Sequence, residues 1–376
     1  MPGDAWSKQP FKALYTAFFV LKLIILIPLL FLRYSVRSAR PDPEWSLRVS
    51  VTGGIVREVF RYWTQTRATM MDSVEASHRK AIGQFALAEV ADASMYTGLL
   101  TPGTTKPAPV GGLWFPGPPT QQTDLRHEKV VLHFPGGAFV LAWGTAESGK
   151  DVASIMAQHL KATRTFYAQY RVSADDSTRF PAALQDLVTF YHYVLSLGID
   201  PKNIILSGDS AAGNLVVGLL RYLEDLRHVR GSPQLPLPGG AMIWSPWVDI
   251  STEAGQDYIK SRNSEMDFLV PSLLQWGVDA YFPKGSRTSD VMPFISPLHH
   301  PFKTSVPLFV NAGRNEAFFD SAKAFATEME LDSNRVRFHA SDLAPHNLVQ
   351  SYKGLAMEHQ MEVAIRDARD FFAQAE

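Results

Sequence analysis

Three hydrophobic patterns follow one another along the chain. The first is a single apolar run over residues 13–32, ALYTAFFVLKLIILIPLLFL, interrupted by one charge, Lys22, and one proline, Pro28. Twenty helical residues reach about 30 Å, the thickness of a bilayer's hydrocarbon core. The second, over residues 41–100, contains Ala-, Met- and Glu-rich stretches such as ASHRKAIGQFALAEVADASMY and predicts helix. Residues 101–121 hold six prolines and four glycines and predict a loop, broken by a short strand at residues 113–115. The third pattern begins at Lys129. Short apolar runs (129–134, 163–170, 203–207, 240–245, 307–313 and 335–340) alternate with helical stretches such as AALQDLVTFYHYVLSLG. Most of these runs are unbroken, as expected of central strands covered on both faces. Strand–helix repetition predicts an α/β fold, a doubly wound and mostly parallel sheet. The divisions are residues 1–40, then 41–125, then an α/β domain over 126–376 carrying a helical insertion at about 253–298.

The charges narrow the partners. Lys+Arg is 36 and Asp+Glu 37, so the net charge of −1 leaves no basic footprint for nucleic acid. Zero cysteines exclude disulfides, thiolate catalysis and cysteine metal sites. Around residues 13–32, a central Lys costs about 2.5–3.5 kcal/mol in lipid, against roughly −4 to −8 from the fourteen Leu, Ile, Phe and Val. The balance favours a bilayer partner, with Lys22 snorkelling. Arg33, Tyr34, Arg37 and Arg40 follow where a signal peptide would have small residues, so an uncleaved single-pass anchor is preferred over a signal peptide or a buried helix. The basic downstream flank places the large domain on the cytosolic side, with the endoplasmic reticulum as the expected membrane. No Asn-x-Ser/Thr acceptor opposes that orientation.

The chemistry concentrates in GDSAAGN (208–214), which follows a predicted strand and opens the helix LVVGLLRYLEDL. That context is a nucleophile elbow: a serine on a tight strand-to-helix turn, with small neighbours and a helix N-terminus that favours a developing anion. Ala212 stands where the usual pattern has its second glycine. Upstream, HFPGGAF (133–139) ends the first parallel strand. Gly136 and Gly137, with the amide of Ala211, are the expected oxyanion donors, each worth about 2.7–4 kcal/mol in an acyl-transfer transition state.

HFPGGAF, GDSAAGN, SPWVDI (245–250), AGRNEAFFD (312–320) and APHN (344–347), in that order, resemble the hormone-sensitive-lipase branch of the α/β-hydrolases, with membrane-anchored fungal members nearest in likeness. The resemblance implies an α/β-hydrolase fold, a Ser/acid/His triad in chain order and ester hydrolysis. Two positions depart from it. Pro135 stands where the family has His before its glycines, with Ala138 for the third glycine, and Asn347 follows the candidate base where Asp is common.

In that chain order the base lies beyond the penultimate strand. His346 is in the loop after the run 335–340, His339 within that run and His359 on the last helix. The acid leaves the run 307–313. Glu316 matches the family's acid position, and Asp320, four residues on, fits better as a helix start. Catalytic Ser210, Glu316 and His346 follow, with Phe139 and Trp247 as candidate pocket walls. Two decoys fall away. GTAESGKD (144–151) lacks the Ser/Thr of a phosphate loop, and His299–His300 has no third ligand at zinc spacing, so no cofactor or metal is expected. The expected function is hydrolysis of carboxylic esters of small to medium apolar molecules. The rivals are condensation or cyclisation in fungal specialised metabolism on the same site, and a non-catalytic ligand-binding fold.

Overall fold

The computed structural model describes residues 5–69, 72, 74–228, 235–284 and 289–374. Its strands are β1 (Phe85–Ala88), β2 (Val110–Phe115), β3 (Val130–Phe134), β4 (Arg164–Ala168), β5 (Ile204–Asp209), β6 (Gly240–Trp244), β7 (Leu308–Gly313) and β8 (Val336–Ser341). They form one sheet in the order β1-β2-β4-β3-β5-β6-β7-β8. β1 and β2 pair antiparallel, and the six strands from β4 to β8 run parallel. Every residue of β3, β5, β6 and β7 is buried, which is why their sequences are apolar without alternation.

The helices are α1 (Phe11–Ser35), α2 (Leu47–Thr66), α3 (Val74–Lys80), α4 (Ala146–Ile155), α5 (Ala182–Ser196), α6 (Ala211–His228), α7 (Ala254–Lys260), α8 (Pro271–Tyr281), α9 (Met292–Ile295), α10 (Phe319–Leu331), α11 (Leu348–Leu355) and α12 (Glu358–Ala373). α6 packs on β5 and β6, and α10 and α12 on β7 and β8. From β3 the chain steps outward to β4, returns past β3 to β5, and then moves the other way to β8. Such a reversal opens a crevice at the carboxyl ends of β3 and β5, the usual place for a ligand in an open parallel sheet.

The expectation of helix throughout residues 41–100 is corrected. α2 and α3 are helical, but Phe85–Ala88 is an edge strand, with Phe85 opposite Leu113 and Ala88 opposite Val110. FALA has good helix formers. However, α3 has already stopped at Lys80, Gly83 turns the chain at φ +86°, and the open edge of β2 offers a ladder of hydrogen bonds. The sheet therefore starts about forty residues before residue 126.

α1 is long and apolar enough to cross a membrane, the one such helix among the described residues. It does not stand alone. α2 runs antiparallel along it, with Thr16 Oγ1 2.8 Å from Tyr62 Oη, Phe19 stacked on Tyr62 at 4.4 Å, and Leu30 seated over Gly54. Lys22 does not snorkel: its ammonium pairs with Glu58 of α2 at 2.5 Å, and Arg61 completes the cluster. Ser46 caps α2 by accepting from the Val49 N–H.

Candidate active site

β5 delivers Ser210 in the left-handed region, φ +53°, immediately before α6. This conformation is strained for a residue with a side chain and is held by neighbours. The Ser210 N–H donates to Trp244 O at 2.8 Å, and its carbonyl accepts from Trp247 N and Asn214 N. Gly208 is required: a Cβ there would sit 2.6 Å from Ala212 O. Ala212 itself is fully buried and tolerated.

His346 arrives on the loop between β8 and α11, with Nε2 2.9 Å from Ser210 Oγ. Glu316 lies on the turn after β7, and its Oε2 is 3.4 Å from His346 Nδ1. All three side chains are nearly or wholly buried. Burial on its own would lower the His346 pKa. The Glu316 contact, with the charges of Asp267, Glu316 and Asp209, outweighs it and raises the imidazole above its ordinary 6.5. Burial likewise pushes the Glu316 carboxyl above its ordinary range, against the pull of His346 and Ser245. Asp320 is exposed and pairs with Arg262, His339 pairs with Asp367, and His359 is exposed on α12. None of these three joins the cluster.

The oxyanion assignment needs one correction. The Gly136 N–H donates to Asp209 Oδ2 at 2.9 Å, so it is not free for a substrate, and Gly136 does not line the pocket. Gly137 and Ala138 do line it, and among the described residues their amides donate to no protein group. Gly137 has φ +131°, and a Cβ there would lie 2.2 Å from Leu141 O. The candidate oxyanion donors are thus the N–H groups of Gly137 and Ala138, with that of Ala211 at the start of α6.

The departures at Pro135 and Asn347 resolve around Asp209, a residue within GDSAAGN to which the sequence assigned no role. Its buried carboxylate accepts from Gly136 N, from Asn347 Nδ2 at 2.6 Å and from His133 Nε2 at 3.2 Å. His133 is held in turn by Ser207 and stacks on Tyr167. One carboxylate therefore ties the glycine turn after β3 to the loop that carries His346.

Two residues of the insertion were also invisible in sequence. Asn263 Nδ2 donates to Arg314 O and Glu316 O, and Asp267 Oδ2 accepts from Ala317 N, so the insertion clamps the turn that bears Glu316. Nothing in NSEMDF marks them, because their partners are backbone groups fifty residues away.

Above Ser210 lies a cavity of about 400 Å³. α2 contributes Thr52, Val56 and Phe60, α8 contributes Leu273 and Leu274, and Phe268, Leu269 and Leu141 complete a mostly apolar wall. Phe139 and Trp247 do not line it, correcting that expectation. Both are buried beneath, in a column in which Tyr281 stacks on Phe139, Phe139 on Trp247 and Trp247 on Phe318, whose ring meets His346 edge-on. No group of three His, Cys, Asp or Glu able to hold a metal occurs among the described residues.

A doubly wound sheet, a strained serine at its switch point and a histidine in contact with it define an α/β-hydrolase. The model of the alpha/beta hydrolase fold matches residues 131–350, and the chain belongs to that family. Among curated relatives, an esterase of Acinetobacter venetianus is 26% identical over 210 residues, covering 56% of this chain and 64% of its own length. An acetyl-hydrolase of Streptomyces hygroscopicus is 28% identical over 196 residues, covering 52% and 60%. The chain thus spans less than two thirds of the length of these relatives. A crystal structure of a bacterial hormone-sensitive-lipase-family esterase covers 88% of this chain and 98% of its own, with TM-score 0.58 and 22% identity, a likeness of fold.

Proposed function

We propose that the protein is a serine hydrolase that cleaves carboxylic esters of small to medium apolar molecules while attached to a membrane through α1. The observation that carries this reading is the 2.9 Å contact of Ser210 Oγ with His346 Nε2 on the floor of an apolar cavity. Ser210 Oγ attacks the ester carbonyl as His346 Nε2 takes its proton, and the oxyanion is received by the amides of Gly137, Ala138 and Ala211. Collapse expels the alkoxide, which leaves with the proton from His346. Water, deprotonated by His346, then attacks the acyl-Ser210 and releases the acid. Glu316 fixes the imidazole tautomer and stabilises its charged form. A cavity of about 400 Å³ suits a substrate of modest size, and the relatives named esterase and acetyl-hydrolase support the reaction class. Arg33, Arg37 and Arg40 at the end of α1 and just after it suit the anionic cytosolic leaflet, which favours that face for the catalytic domain.

The test is hydrolysis of p-nitrophenyl esters of increasing acyl length by the detergent-solubilised protein beside Ser210→Ala. Turnover of short and medium esters with a loss of about 10⁴-fold or more in the variant is expected. Ester cleavage that survives Ser210→Ala would overturn the reading and favour chemistry run by His346 and the oxyanion donors alone.

A further inference from the structure

The exposed side of α1 is apolar from residue 14 to residue 32: Leu14, Phe18, Leu21, Ile25, Leu29 and Leu32 all lie more than half exposed. The polar residues inside the helix, Thr16 and Lys22, both turn the other way, toward α2. This contact between α1 and α2 extends from Tyr15, stacked on Tyr62, to Leu30 and Tyr34, clustered with Val51, a distance of about 28 Å along the helix. α2 is in turn fastened to the catalytic domain at its start and at mid-length. Trp45, just before it, donates its ring N–H to Leu343 O, Arg48 donates to Lys353 O and Gly354 O, and Arg57 donates to Glu265 O and Asp267 O.

This arrangement bears on how α1 meets lipid. Were α1 to stand across a bilayer, the Lys22–Glu58–Arg61 cluster would lie near mid-depth. Arg57 and the domain's backbone at residues 264–267 would be carried into hydrocarbon beside it. Charges and open backbone at that depth are strongly disfavoured. Laid flat, the same helix buries only its apolar side and leaves α2 and the domain in water. The charges agree: Lys12 at one end and Arg33 and Arg37 at the other flank the apolar side, which suits anionic headgroups.

We propose that α1 is an in-plane anchor, seated within one leaflet of an anionic phospholipid membrane and not spanning it. This deepens the membrane attachment proposed above and rests on it. One consequence concerns the substrate. Thr52, Val56 and Phe60 line the cavity from the side of α2 opposite Leu47, Val51, Ile55 and Glu58, which meet α1. α2 is thus a partition one helix thick between the lipid phase and Ser210, and the class of ester this site is built to take is one dissolved in the leaflet.

The chain has no cysteine, so single labels can be placed cleanly. Leu14→Cys, Leu21→Cys, Ile25→Cys and Leu32→Cys, all on the exposed side, would carry nitroxides. The full-length protein would be added from outside to preformed vesicles of phosphatidylcholine with phosphatidylserine, and depth read by oxygen against nickel-chelate relaxation. All four labels are expected at one depth, about 5–10 Å below the phosphates. A Gln9→Cys variant should react with an impermeant maleimide added outside. Labels at 21 and 25 near the bilayer centre, about 15 Å deep, with Gln9→Cys protected, would overturn the in-plane placement while leaving attachment intact. Failure of the protein to float with vesicles, including by forming a dimer that shields these positions, would overturn both.

Discussion

Replacing Asn347 by Asp keeps the side chain's shape but puts an oxygen where Nδ2 now lies 2.6 Å from Asp209 Oδ2. Two unit charges at that spacing repel by about 6 kcal/mol even at an effective dielectric near 20. Two routes avoid this. Holding the new carboxyl protonated at pH 7 costs about 4 kcal/mol, from an ordinary value near 3.9 at about 1.4 kcal/mol per pH unit. Swinging it out into the pocket, which a half-buried residue can do, forfeits a charge-assisted hydrogen bond of about 1.5–3 kcal/mol. The second route wins at pH 7 and leaves Asp209 with Gly136 and His133 as donors. The glycine turn and the His346 loop are then no longer tied together, so kcat should fall roughly 10–100-fold with KM little changed. At pH 5 protonation costs only about 1.5 kcal/mol, and the protonated carboxyl donates to Asp209 as Asn347 did. The ratio of wild-type to variant kcat should therefore shrink as pH falls, once each profile is corrected for its own His346 titration, which the added carboxylate moves up in the variant. Steady-state kinetics on p-nitrophenyl butyrate from pH 5 to 9 read it. A ratio flat across that range, or an effect confined to KM, would refute the role given to Asp209.

Other expectations follow from the same geometry. Because the pKa of His346 is raised and only the neutral imidazole accepts the Ser210 proton, kcat/KM should climb with pH through a midpoint above 6.5, as a pH profile would show. Glu316→Gln removes a charge that raises that pKa, so its midpoint should move down while kcat falls on the order of 10⁴-fold. Asn263→Ala deletes two hydrogen bonds to the backbone that carries Glu316. It should lower stability by about 1–3 kcal/mol in denaturant unfolding and depress kcat more than it raises KM. Gly137→Ala, with its methyl driven onto Leu141 O, should abolish turnover even where circular dichroism reports a folded chain.

Much of the architecture was legible because the central strands are buried on both faces and leave nothing polar in their runs: 130–134 and 308–313 lie almost where the pattern put them. Ser210 was legible from its small neighbours, and His346 and Glu316 from their places after β8 and β7. What escaped has a common cause, in that it depends on contacts between distant segments. FALA became a strand because β2 had an unpaired edge. Lys22, read as a snorkelling charge, found Glu58 thirty-six residues away. HFPGGAF shows that amides lie free of side chains but not which one turns toward Asp209, and so the expected donors include Gly136 and leave out Ala138. Phe139 and Trp247 show that aromatic rings sit near the serine but not that they stack beneath the cavity floor.

The central claim is an activated serine in a preformed site, and the most direct measurement is intact mass after exposure to a fluorophosphonate. The wild-type protein should gain a single adduct on Ser210, and Ser210→Ala and His346→Ala should gain none, each shown folded by circular dichroism. A folded wild-type protein that stays unmodified, or an adduct that survives Ser210→Ala, would contradict the account.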